Sequence, residues 1–442
     1  MSRDMAVSKL RRHIDELSFN ISDLTNQRVQ ARRELNHLLD PMARLPLELQ
    51  SHIFLCVENK SNVERKADPS DVPLVFLNVC HLWHHIALST PKLWTEIKID
   101  SLPRSAKHVA LYRNWMERAG TLPLSLSLGG FLDPKDTAFG DLVKQHQDQV
   151  QSLTLRWKLF SYPHPHSGKP AIYFQGCFPL LQKLAIHAIS SDVYASEDVL
   201  NVLRTAPNVS YCELVEVYYD DYDDEDMLDI VPLTLTSLEE LRLGEPQLHT
   251  FVGYNADIAI LQYLSLPALR KLSITPLDIN SDVGVIASFF TRSSPPLESL
   301  SLSLGYVWPE GFVEQCLRSV PTLTTLELWS QSDEFTSFVT VLGTSPNLLP
   351  NLRALSLTTL DTVTIDYTAV LQMLGARRST PLLKVKVYLE QTVPGWDDHA
   401  LPPRLGRAAF PDAATKSALQ QFVKDGMEIF VGFGQTNVVK IE

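Results

Sequence analysis

Leu297-Glu298-Ser299-Leu300-Ser301-Leu302, answered by Leu323-Thr324-Thr325-Leu326-Glu327-Leu328, decides how this chain is read. Each segment runs apolar-x-x-apolar-x-apolar, the alternation of a short strand with one buried face. The same triplet recurs at Leu181/Leu184/Ile186, Leu238/Leu241/Leu243, Leu269/Leu272/Ile274 and Leu352/Leu355/Leu357. Weaker copies stand at Trp94/Ile97/Ile99, Pro123/Leu126/Leu128, Val150/Leu153/Leu155, Val209/Cys212/Leu214 and Leu382/Val385/Val387. Ten steps carry the first position from 94 to 382, an average of 28.8 residues. Helix-like stretches follow several strands, from Ser281 to Phe290, Ser332 to Leu342 and Asp366 to Leu374, with Ser and Asp as N-caps. Prolines at 179, 207, 267, 296, 321, 350 and 381 stop the helix just before the next strand. Such a unit cannot bury its apolar faces alone, whereas stacked neighbours can.

Over residues 91–390 this pattern resembles the leucine-rich repeats, whose period is 20–29 residues. The resemblance implies an α/β solenoid with parallel strands on a concave side and helices on a convex side. Where that family often places Asn or Cys after the last core leucine, this chain has Ile189, Pro246, Leu277, Gln331 and Leu360. A doubly wound α/β enzyme also alternates strand and helix. It calls for a catalytic or phosphate-binding loop, and the sequence has no G-x-S-x-G, phosphate-loop lysine motif or metal-spaced histidines. Gly432-Phe433-Gly434 has no helix after it to form a dinucleotide loop.

Residues 41–90 read as short helices. Pro46 suits a first helical turn, after which Leu49, Ile53 and Phe54 share a face. Pro73 opens a second helix with Leu74, Leu77, Cys80, Trp83 and Ile86-Ala87 on its apolar side, stopped by Ser89-Thr90-Pro91. A module of this size buries too little apolar area to stand alone, and Leu, Ile and Phe left on an open face mark a partner site.

The ordered set Leu45-Pro46-x-Glu48-Leu49, Ile53-Phe54, Val79-Cys80-x-x-Trp83 and Ala87-Leu88-Ser89-Thr90-Pro91-x-Leu93-Trp94 resembles the F-box family, most closely the F-box proteins of mushroom-forming fungi. The resemblance implies docking onto the Skp-type adaptor of a Skp–cullin–F-box ubiquitin ligase. Carried over, the adaptor-binding residues are Leu45, Pro46, Leu47, Leu49, Ile53 and Phe54. Val79, Cys80 and Trp83 are shared between the module's own core and the contact. Histidines 81, 84 and 85 stand where that family usually has basic residues. His81 and His85 have helical i, i+4 spacing, but no second ligand cluster accompanies them, so no metal is expected.

Residues 1–40 carry an apolar seam, Leu10, Ile14, Leu17, Ile21, Leu24, Ala31, Leu35 and Leu38, with Arg28 in the gap and steps of four and three throughout. That spacing draws one stripe along an amphipathic, coiled-coil-like helix. The stripe suits a fold-back onto its own chain, a homodimeric coiled coil or another protein's helix, and Arg28 weakens a long zipper. Asp40-Pro41 ends it.

Tyr218 to Asp226 packs six acids and three tyrosines into nine residues after the strand near 209–217. Tyr219, Asp220, Asp221, Asp223 and Asp224 are candidates for binding a basic target segment. A solvated insertion is the alternative, and a calcium loop is disfavoured for want of its glycine and terminal glutamate. Residues 391–442 lose the register, with a helix from Pro411 to Lys424 and a strand from Met427 to Val431, and read as a C-terminal cap.

Composition narrows the classes. The 442 residues include 68 leucines and only 20% charged residues, which excludes a largely disordered chain. The whole net charge of −12 sits in residues 101–442, against nucleic-acid binding. There is no 18-residue apolar run and no apolar signal segment, so neither a membrane span nor secretion is expected. Five scattered cysteines, 56, 80, 177, 212 and 316, fit reduced thiols in the cytoplasm or nucleus. The sequons at Asn20 and Asn208 then carry no sugar. Taken with the F-box and leucine-rich-repeat resemblances, the expectation is a non-enzymatic substrate-receptor subunit that needs no cofactor. The resemblance implies that it docks a Skp adaptor through residues 41–90 and holds an unidentified target protein on residues 91–390. The rival is a repeat scaffold outside any ligase.

Overall fold

The leucine triplets become a long parallel sheet. The computed structural model describes residues 3–57, 73–99, 106–130, 137–157, 177–188, 196–215, 231–244, 258–277, 283–304, 311–330, 335–360, 365–390, 410–434 and 436–440. The chain divides into two compact units, Met1–Gly130 with Asp136–Val150, and Phe131–Lys135 with Gln151–Glu442.

The first unit opens with one long helix, α1 (Arg3–Leu39). A 3-10 turn at Pro41–Arg44 leads into α2 (Leu47–Leu55), and a second at Leu74–Asn78 precedes α3 (His81–Leu88). The single helix expected from Pro73 is thus two pieces. Cys80 is extended at φ −154°, ψ 174°, so the chain bends there, and the Val79 carbonyl accepts a hydrogen bond from the Asn36 amide at 2.9 Å. Then come β1 (Glu96–Ile99), α4 (Ala106–Arg118), β2 (Leu124–Gly130) and α5 (Thr137–Gln145). β1 and β2 run parallel, with Ile97 opposite Leu126 and Ile99 opposite Leu128. Trp94 is fully buried, edge-on to Trp115 with centroids 5.5 Å apart, and donates its indole N–H to the Ala87 carbonyl. One first-position assignment fails. Pro123 is exposed and Leu124, where β2 begins, is buried in its place, and β2 alternates inward from there.

The second unit is built on β3 (Val150–Trp157), β4 (Lys183–Ala188), β5 (Tyr211–Val215), β7 (Glu240–Leu243), β9 (Lys271–Leu277), β10 (Ser299–Leu304), β11 (Thr325–Ser330), β12 (Ala354–Leu360), β13 (Lys384–Glu390) and β14 (Glu428–Phe433). β6 (Leu233–Thr234) and β8 (Leu264–Ser265) form a separate two-stranded pair. Adjacent sheet strands are parallel from β3 to β14, and their register aligns the triplets. Leu153, Leu184, Cys212, Leu241, Leu272, Leu300, Leu326, Leu355, Val385 and Ile429 stand side by side, one per strand. The row two residues on, from Leu155 to Val431, does the same, and both rows are buried. At roughly 1.5–3 kcal/mol per buried leucine-sized side chain, these rows are the main source of cohesion.

Between strands lie α6 (Ser196–Arg204), α7 (Val283–Ser293), α8 (Phe312–Arg318), α9 (Phe335–Thr344), α10 (Tyr367–Ala376) and α11 (Ala413–Lys424). From α7 to α11 each packs on the next in chain order. Asp366 caps α10 and Asp412 caps α11 through their carboxylates; Ser281 and Ser332, the other expected caps, lie outside the described residues. Between β7 and β9 the described residues hold a 3-10 segment, Ala259–Tyr263, instead of an α-helix. Arg377, at the end of α10, is buried and donates to the carbonyls of Leu342, Ser345, Leu348 and Leu349 at the end of α9 and just beyond it. Burial lowers its pKa. Leu349 there holds a left-handed φ of 55°.

The triplet register does not stop at 390. β14 continues it, with Ile429 beside Val385 and Val431 beside Val387. The sequence hid this because the last step is longer than the others and its first position falls on Gly426, a left-handed turn residue at φ 102°. β15 (Thr436–Asn437) then folds back antiparallel on β14.

Candidate functional site

The residues expected to meet an adaptor lie on α2 and α3 and the turns before them. Pro46 is the N-cap of α2, one place before the first helical turn, and its carbonyl accepts from the Leu49 and Gln50 amides at 3.1 Å each. Gln50 is buried and donates through Nε2 to the carbonyls of Met42 and Leu45, both at 2.7 Å. It clamps the Leu45-Pro46 turn onto the helix. The buried face of α2 is Gln50 and Phe54; of the three residues read as one partner-facing side, Leu49 and Ile53 are open and Phe54 is turned inward. Phe54 stacks on Phe76 at 4.1 Å and tilts against Trp83 at 5.0 Å.

With Phe54 anchoring the inner side, the outer side of α2 is apolar and open. Leu45, Leu47, Leu49 and Ile53 are 37%, 47%, 51% and 41% exposed, and Pro46 is exposed beside them. Val79 and Trp83 are half-buried at the edge, while Phe54 and Cys80 lie inside. Burying each open aliphatic side chain against a partner returns roughly 1.5–3 kcal/mol before the costs of association. The surface offers shape and apolar area. His81 faces Gln30, with Nε2 atoms 3.2 Å apart, and His84 Nδ1 lies 3.1 Å from the Leu77 carbonyl. Among the described residues no three His, Cys, Asp or Glu side chains cluster to hold a metal.

Two positioning residues were not singled out from the sequence. The sequence marks Asp40 only as a helix end, yet its carboxylate accepts from the Met42 amide at 2.9 Å and the Trp83 indole at 2.6 Å. Gln50 had a signal, since it lies one helical turn before Phe54 on the same face.

A second surface is the non-leucine face of the sheet in the other unit. Across β4, β5, β7 and β9 it carries ionic and aromatic groups in register. Tyr211 donates its hydroxyl to Glu213, and His187 Nε2 lies 3.7 Å from the same carboxylate. Arg242 and Lys271 both reach Glu240, at 2.7 and 3.5 Å, and the Arg242 guanidinium lies over the Tyr211 ring. Burial first, then Glu213, raises the Tyr211 pKa, so the hydroxyl stays protonated. Farther along, Lys386 sits over the rings of Tyr388 and Phe430, 4.5 and 5.8 Å from their centroids. The acidic candidates Tyr219, Asp220, Asp221, Asp223 and Asp224 lie outside the described residues.

No protein-family model matches the chain. No curated protein matches it either. Among the described residues no helix is long and apolar enough to cross a membrane.

Proposed function

We propose that this chain is a substrate-receptor subunit of a Skp–cullin–F-box ubiquitin ligase. The observation that carries the reading is the open apolar strip Leu45, Leu47, Leu49 and Ile53, with Pro46 among them, presented by a turn that Gln50 holds. In this reading residues 41–90 are an F-box that docks the Skp adaptor. Residues 91–390 form a leucine-rich-repeat-like solenoid, a reading supported by the aligned leucine rows. The target protein binds the solenoid's strand face, where charged and aromatic side chains alternate with the buried leucines. The chain performs no bond chemistry; it raises the effective concentration of target lysines at the ligase. It works in the cytoplasm or nucleus with its cysteines reduced.

The test is co-purification of the full chain with a Skp adaptor, wild type against the Leu45→Ala/Pro46→Ala double variant. Binding by wild type and its loss in the variant is the expected result. No binding by wild type, or equal binding by the variant, overturns the proposal.

A further inference from the structure

The seam of α1 remains open along its length. Leu10, Ile14, Ile21 and Leu24 are each 60–65% exposed. What α1 gives to its own chain is its other side. Gln30 reaches His81, Arg33 Nη2 donates to Asn78 at 3.4 Å, and Asn36 donates to the Val79 carbonyl. The seam takes heptad letters without a slip once Val7 is added at its start. Position a is Val7, Ile14, Ile21, Arg28 and Leu35; position d is Leu10, Leu17, Leu24, Ala31 and Leu38. Gln30, Arg33 and Asn36 are then c, f and b, the side away from the seam. The contacts that dock the helix on its own unit leave the a/d stripe facing away.

We propose that α1 pairs in parallel with α1 of a second copy of this chain. Three observations choose that occupant. The seam spans about four and a half heptads, roughly 48 Å at about 1.5 Å per residue, the length of a sustained two-helix zipper. Its first three a positions are β-branched and its first three d positions are leucine, the combination that selects two parallel strands. The flanking charges agree. In parallel register the g-to-e′ pairs are His13–Ser18, Asn20–Thr25, Gln27–Arg32 and Glu34–Leu39, with no like charges opposed. Antiparallel overlap of the same seam instead sets Arg11 against Arg32 of the other helix. Arg28 meets its own copy, lays its stem along the seam and carries its guanidinium out to water. One polar a residue lowers stability and fixes the register.

The proposal is independent of adaptor docking, and either stands if the other fails. The test is sedimentation velocity on the full chain at about 1–100 μM. Wild type is expected to dimerise. Leu17→Glu/Leu24→Glu is expected to be monomeric with an unchanged circular dichroism spectrum, since neither side chain packs on its own unit. Arg28→Ile is expected to tighten the dimer about tenfold. Leu10→Cys on a Cys56→Ser/Cys177→Ser background is expected to give a covalent dimer on mild oxidation, because parallel register brings the two copies of position 10 together. A monomeric wild type, a double-glutamate variant that still dimerises, or an Arg28→Ile variant no tighter than wild type overturns the pairing. A dimer that does not cross-link through position 10 overturns the parallel register.

Discussion

The Trp83 indole donates to the Asp40 carboxylate at 2.6 Å, joining the residue that ends the long N-terminal helix to the first turn of α3. The other carboxylate oxygen caps the 3-10 turn at Met42. Asp40→Ala removes a cap and a charge-assisted partner together, a loss of about 2 kcal/mol. Faster amide hydrogen exchange at residues 42–55 and 81–88, with the remainder unchanged, is the expected reading. Asp40→Asn keeps one acceptor and falls between the two.

The leucine rows make a contrast between neighbouring residues. Leu300 is fully buried between Leu272 and Leu326, whereas Ser301 faces the other way. Leu300→Ala is expected to destabilise the second unit by about 2–5 kcal/mol in denaturant unfolding. Ser301→Ala is expected to stay within about 0.5 kcal/mol.

Arg377 serves four carbonyls from a buried position, so its removal leaves several acceptors unmet. Arg377→Met, similar in length, is expected to cost about 3 kcal/mol or more. Arg377→Lys recovers only part, because an ammonium lacks the planar fork that reaches separated oxygens. Thermal unfolding of the three proteins ranks them.

The cysteines report the fold directly. Cys56 and Cys177 are exposed; Cys80, Cys212 and Cys316 are buried. Alkylation of the native protein followed by mass spectrometry is expected to mark the first two and spare the other three. Burial pushes the Cys212 and Cys316 thiols up to about 12 from an ordinary 9.0. A folded pKa raised above the unfolded one gives stability that is complete below pH 9 and lost as pH climbs toward 12. Cys212→Val is expected to flatten the alkaline limb of the stability–pH curve.

Much of this was legible in the leucines. Their spacing placed nearly every sheet strand in register, because a period-2 triplet with one buried face has a single satisfactory alignment. Trp94 and Pro123 show the limit, since both open a triplet and one is buried while the other is exposed. At the second of these the inward place falls to Leu124, the first residue of β2. The break at Cys80 was hidden for a different reason. It goes with a hydrogen bond from a residue far back in the chain, Asn36 to the Val79 carbonyl, and no local pattern encodes a distant partner. The charged face of the sheet was legible only as residues between leucines; its pairing across strands required the register.

β15 changes what the last parallel strand leaves exposed. Each strand from β4 to β14 in the main sheet pairs with one already synthesised, so a growing chain always carries one unpaired edge. The two-residue reversal at the end places Thr436 and Asn437 on that edge, where a Cβ added at Gly432 would sit 1.9 Å from the Thr436 carbonyl oxygen. Unpaired, the Gly432–Phe433 end of that edge would offer its backbone groups to a neighbouring chain, and the antiparallel reversal occupies it.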